Sequence, residues 1–159
     1  MEIVGDFTTT LCDAMEEIDK RWSSYDGLII AGTHTPKNIE GAISAIDVAY
    51  RDKVPFLGVC HGYQLWHIWY ARTFLGITDA TSEEYGVAGT PVITKRSEGM
   101  VCGEGPDGES YWTRYDIDPV VFEFINPIPG MFVYPFHPEY NSRKSKPHPA
   151  LVNFLRICQ

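Results

Sequence analysis

Residues 56–64 read FLGVCHGYQ. An apolar run of strand character ends in a cysteine, with one glycine two places before it and another two places after. No other stretch constrains the fold as much. A strand that turns directly into a helix brings the residues two before and two after the corner close together. Gly58 and Gly62 supply the small side chains that this approach demands, in the elbow pattern G-x-nucleophile-x-G. The corner residue, Cys60, is then strained and exposed. It sits at the positive end of the helix dipole, which favours a thiolate. The N–H of His61 points toward the oxyanion of any carbonyl that Cys60 attacks. A structural cysteine in a chance G-x-C-x-G is the competing reading, and strand before with helix after is the context the nucleophile requires.

The surrounding pattern supplies that context. Residues 2–5 (EIVG) suit a short strand, and Leu11, Met15 and Ile18 fall at helical spacing over 10–22. GLIIAG at 27–32 suits a buried strand, and Ile43, Ile46 and Ala49 or Tyr50 share one face of a helix over 40–52. A strand over 54–59 then switches at once to a helix over 61–73. Strand and helix in alternation predict an α/β fold, a parallel sheet with helices on both faces. The second half predicts shorter, exposed strands near 90–95, 99–102 and 110–117 around the turn GEGPDGE, a buried strand at 130–136 and a closing helix at 148–157. There is no internal repeat, low-complexity segment or linker, so 159 residues are expected to form one domain, 1–159.

Charge narrows the function classes. With 13 basic against 21 acidic side chains the formal net charge is −8, which argues against nucleic-acid or anionic-membrane partners. No apolar run is long enough to span a bilayer, and the acidic N-terminus MEIVGDFTTT lacks the layout of a signal peptide. A cytoplasmic location is the expectation. Cys12, Cys60, Cys102 and Cys158 form no C-x-x-C pair, so no metal, cofactor or disulfide framework is expected.

A cysteine nucleophile needs a base, and the base needs an orienter. His67 lies on the helix after the elbow and reads as a packed or surface residue. His34 follows the strand GLIIAG and is a possible neighbour of the site. His61 adjoins Cys60, but consecutive residues at a turn point apart, and His148, among prolines, reads as a helix-start residue. His137 follows the buried strand FVYPF in the sequence HPE. Pro138 disfavours helical geometry before it, and in extended chain His137 and Glu139 project to the same side. Glu139 can thus fix the tautomer of His137. A strand-end turn with a solvated glutamate is the alternative reading.

Cys60 in an elbow, with HPE near the C-terminus of an α/β chain, resembles the class I (triad) glutamine amidotransferases, and more closely the glutaminase domain of CTP synthases. DGLIIAG, the block from EGAISAIDVAY through TSEEY, RYDID, and FHPEYNSRKSKPHPALVNFL carry the resemblance, over most of residues 26–155. It implies a flavodoxin-like parallel sheet flanked by helices, shortened near the N-terminus. It implies Cys60 as nucleophile, His137 as general base and acid, and Glu139 as its orienter. Gln64, Glu84 and Arg114 match glutamine-binding positions, and Gly32 with the following amide matches the loop that completes the oxyanion hole.

The chain departs from the family in four ways. No synthetase domain or P-loop appears, so CTP formation by this chain alone is not expected. Thr33 replaces a glycine in the oxyanion loop, a strained exchange if the position takes positive φ. His61 replaces a leucine after the nucleophile. The stretch before GLIIAG is shorter. The implied function is hydrolysis of a glutamine or γ-glutamyl side-chain amide through a glutamyl thioester. The chain would act free-standing or as the glutaminase subunit of a separate synthase. A non-catalytic relative that binds a glutamine-like metabolite or a protein is the alternative. A homodimer through exposed sheet edges is a further expectation.

Overall fold

The computed structural model describes residues 25–33, 38–104, 110–124 and 126–159. The strand expected at 2–5, the helix expected at 10–22 and His34 lie outside them. Three strands, β1 (Leu28–Ile30), β2 (Phe56–Val59) and β8 (Met131–Tyr134), form a parallel sheet in the order β1–β2–β8. Gly58 stands between Ile30 and Val133 in register. The central strand β2 is buried throughout, and its residues alternate between two packed faces. Phe56 joins a core with α1 (Ile39–Arg51) and α2 (His61–Phe74), whereas Leu57 and Val59 meet Phe154 of α4 (Pro149–Ile157) on the other face. Helices thus cover both faces, as the alternation of elements predicts.

Local chemistry sets the helix ends. The side-chain oxygen of Asn38 accepts from the Gly41 N–H at 3.0 Å and caps α1. His148 caps α4 by accepting from the Ala150 N–H at 3.2 Å, with Pro149 in the first turn, which is the helix-start role read from its sequence. Helix α2 buries Leu65, Trp66, His67, Ile68, Trp69 and Tyr70 on all sides, because α1 flanks it while the sheets cover the rest.

The second half forms two further sheets. Strands β3 (Ala80–Ser82), β4 (Thr90–Lys95) and β7 (Tyr115–Ile117) form a mixed sheet, and β5 (Val101–Glu104) pairs with β6 (Ser110–Thr113) as a hairpin. The expected strand over 110–117 is therefore two strands, broken at Arg114. Its first part pairs with β5 and its second with β4. Three elements carry no signal in the sequence pattern: β3, the 3-10 turn Glu83–Tyr85, and the short helix α3 (Pro119–Glu123). Among the described residues no helix is long and apolar enough to cross a membrane.

Candidate active site

Cys60 ends β2 and opens α2 with φ 52° and ψ −101°, a strained conformation for a residue with a side chain. Its N–H donates to the Tyr134 carbonyl at 2.9 Å and its own carbonyl accepts from the Gln64 N–H at 3.2 Å, so the corner is tied to both neighbours. The flanking glycines are sterically required. A Cβ on Gly62 would lie 2.1 Å from the Ile30 carbonyl oxygen, and one on Gly58 would lie 2.7 Å from that of Gly62.

His137 reaches Cys60 from the end of β8. The chain there is a turn rather than the extended segment expected from sequence. Strand β8 stops at Tyr134, and the Tyr140 N–H closes residues 137–140 onto the His137 carbonyl at 3.2 Å. The turn nonetheless brings Glu139 onto the ring, and His137 Nδ1 donates to Glu139 Oε1 at 2.6 Å. A carboxylate only accepts, so Nδ1 carries the proton and Nε2 is left for Cys60. Gly32, two residues past β1, closes the third side. A Cβ there would lie 2.6 Å from His137 Cε1, 3.2 Å from Nε2 and 3.1 Å from Cys60 Cβ. Gly32, Cys60 and His137 thus meet at the carboxyl ends of three adjacent parallel strands, where open α/β sheets place ligands.

The hydrogen bond with Cys60 is the largest influence on His137. It outweighs partial burial and, with the Glu139 bond and the electrostatic pull of both partners, raises the imidazole pKa from 6.5 to about 9. The ring is therefore cationic at neutral pH. His61 behaves oppositely: burial lowers its pKa to about 4, against a weaker upward pull from Gln64. The ionisable group expected beside the nucleophile is present and is held neutral. Two side-chain atoms here are buried without a hydrogen-bond partner, Gln64 Oε1 and Tyr85 Oη. The Gln64 amide thus influences His61 without an aligned bond to its oxygen, and the Tyr85 ring stands edge-on to His61 at 5.9 Å.

A small open cleft adjoins Cys60, with Tyr63, Gln64, Tyr111, Trp112 and Asp116 in its walls. Cys60 and Gln64 share this cleft, but Glu84 and Arg114 are not in its walls. Glu84 lies on the exposed 3-10 turn, its N–H donating to Ser82 Oγ at 3.1 Å. The exposed Arg114 sits between Thr113 and Tyr115, which do line the cleft. Thr33 is half-buried next to Gly32. Among the described residues positive φ outside glycine occurs at Lys53 and Cys60, so the backbone strain considered for Thr33 does not arise. The aromatic wall of Tyr111 and Trp112 escapes sequence reasoning, because it reaches Cys60 only through the folding of the β5–β6 hairpin. Among the described residues no group of three or more His, Cys, Asp or Glu side chains is placed to hold a metal.

A family model for glutamine amidotransferase class-I matches residues 6–157. Among curated relatives, a CTP synthase of Methanoregula boonei is 33% identical over 85% of this chain and 34% of its own length. One of Methanospirillum hungatei is 31% identical over 84% of this chain and 34% of its own. The chain thus spans about a third of the length of these relatives. In three dimensions it is similar to the glutaminase domain of a Trypanosoma brucei CTP synthase solved with bound acivicin. That match has a TM-score of 0.70 and 21% identity, covering 90% of this chain and 74% of that one, which supports the flavodoxin-like sheet at the level of fold.

Proposed function

The chain belongs to the class-I glutamine amidotransferase family, and from that premise we propose that it hydrolyses the side-chain amide of glutamine or a γ-glutamyl compound through a thioester on Cys60. The convergence of Gly32, Cys60 and His137, with Glu139 bonded to the far side of the imidazole, carries this reading. The Cys60 thiolate adds to the amide carbon. The His61 N–H, one of the unpaired donors of the first turn of α2, and the amide after Gly32 hold the oxyanion. The His137 imidazolium gives its proton to the departing nitrogen, ammonia leaves as the C–N bond breaks, and a thioester remains. The neutral imidazole then takes a proton from water. The hydroxide adds to the thioester, and expulsion of Cys60 restores the thiolate–imidazolium pair. Glu139 holds the ring and its Nδ1 proton throughout. Gln64, from the cleft wall, and Glu84 and Arg114, from its surroundings, are the proposed contacts for the amino-acid end of the substrate.

Intact-mass spectrometry after incubation with a diazo-ketone analogue of glutamine tests this reading. One adduct is expected on wild type, mapped to Cys60, blocked by excess glutamine and absent from Cys60→Ala. A Cys60 that reacts with iodoacetamide but never with the analogue would overturn glutamine recognition. A free-standing hydrolase releases the ammonia, and a glutaminase subunit passes it to a separate synthase. Dependence of turnover on an added partner separates the two.

A further inference from the structure

The tail that follows HPE, S-R-x-x-x-P-H-P at 142–149, has no place in the chemistry above, yet the structure ties it to His137. The Tyr140 ring stacks on the imidazole with centroids 4.5 Å apart and planes 7° from parallel. Tyr140 is 68% exposed, so this stack is not the by-product of core packing. One ring face covers His137 while much of the residue stays in water. The residues behind it fix its place. Arg143 Nη1 donates to the carbonyls of Tyr140 and Ser142, both at 2.9 Å. Arg143 and Lys146 exchange backbone hydrogen bonds at 3.1 and 3.0 Å. Ser142 Oγ accepts from the His148 N–H at 3.2 Å, which fastens the loop to the cap of α4.

We propose that residues 140–148 form a brace for His137, in which Tyr140 is a positioning residue stacked on the imidazole and Arg143 holds Tyr140 in place. The inference rests on the reading of His137 as the base. Edge contacts alone leave the ring free to swing. Glu139 fixes Nδ1 and Cys60 engages the far side of the ring, but both act at its rim, and the stacked face removes the out-of-plane motion. The electron-rich face also favours the cationic ring. The titratable groups against His137 are Cys60 from the β2–α2 corner and, from its own turn, Glu139 and the stacked Tyr140, with the Gly32 backbone on the remaining side.

The test compares wild type, Tyr140→Phe, Tyr140→Ala and Arg143→Ala in two measurements. One is NMR titration of His137 Hε1. The other is the kcat and KM of glutamine hydrolysis. Tyr140→Phe keeps the ring face and is expected to match wild type. Tyr140→Ala is expected to lower the His137 pKa by about half a unit and to reduce kcat about tenfold with KM unchanged, its melting temperature staying near that of wild type. Arg143→Ala should shift both in the same direction by less. Tyr140→Ala with wild-type titration and kcat would overturn the brace, and so would a Tyr140→Phe variant as impaired as Tyr140→Ala. The titration needs no turnover, so it judges the brace even if wild type leaves glutamine untouched, an outcome that counts against the proposed function instead.

Discussion

His137 is held in its charged form, and the ranking of influences on the imidazole makes a prediction. The bond with Cys60 is the largest upward influence and the bond with Glu139 the smaller. Cys60→Ala is therefore expected to bring the His137 pKa from about 9 down toward 6.5, and Glu139→Gln to lower it by less, both read by NMR titration. A larger drop in Glu139→Gln would reverse the assignment of partners. The HPE sequence made this pair legible, although for a different reason than the one that operates. Spacing of two in extended chain suggests same-side projection, whereas the structure achieves it with a closed turn at 137–140. The state of His61 was not legible. Its neighbourhood in the chain says only that an imidazole follows the nucleophile, and burial under Tyr85 decides that it stays neutral.

At the scale of elements, the strand–corner–helix unit is the best-determined part of the chain, and its tolerance to substitution is graded by space. Gly62→Ala places a methyl 2.1 Å from the Ile30 carbonyl oxygen. Ile30 is paired in register with Gly58 in the β1–β2 ladder, so neither side yields without breaking the sheet. A loss of at least about 1–3 kcal/mol is expected from overpacking, measured by urea denaturation. Gly99→Ala meets nothing within 4 Å and is expected to stay within about 0.5 kcal/mol of wild type. Equal stability of Gly62→Ala and Gly99→Ala would refute the tight corner. Helices α1 and α2 match their periodic patterns to within a residue or two. The 110–117 segment did not, because its alternation marks strand character and is silent on partners. The break at Arg114 exists because two different sheets claim the two halves.

For the whole molecule, three histidines give stability a pH dependence with two limbs. His61 and His67 are buried, and burial lowers each pKa to about 4. Between about pH 6.5 and 4 the unfolded chain binds more protons than the native one at these positions, so stability falls as pH falls through that window. The fully buried His67 accounts for up to about 3 kcal/mol of it. His137 acts oppositely. Its folded pKa is raised, so its contribution is complete below pH 6.5 and is lost as pH rises through about 9. Urea midpoints measured from pH 4 to 9 are expected to decline on both sides of neutrality, with a shallower acid limb in His67→Phe than in wild type. An unchanged acid slope in that variant would refute the assignment. The sequence by itself determined the alternating α/β order, the elbow at Cys60 with its two glycines, the HPE pair and the cap at His148, because each is a demand made within a few residues. Only the tertiary structure decided which strands pair in the second half and that an aromatic hairpin walls the cleft. It alone also decided that His61 is held neutral and that Tyr140 lies flat on His137. Those outcomes depend on segments tens of residues apart or on the closure of a turn, and neither periodicity nor spacing carries that information.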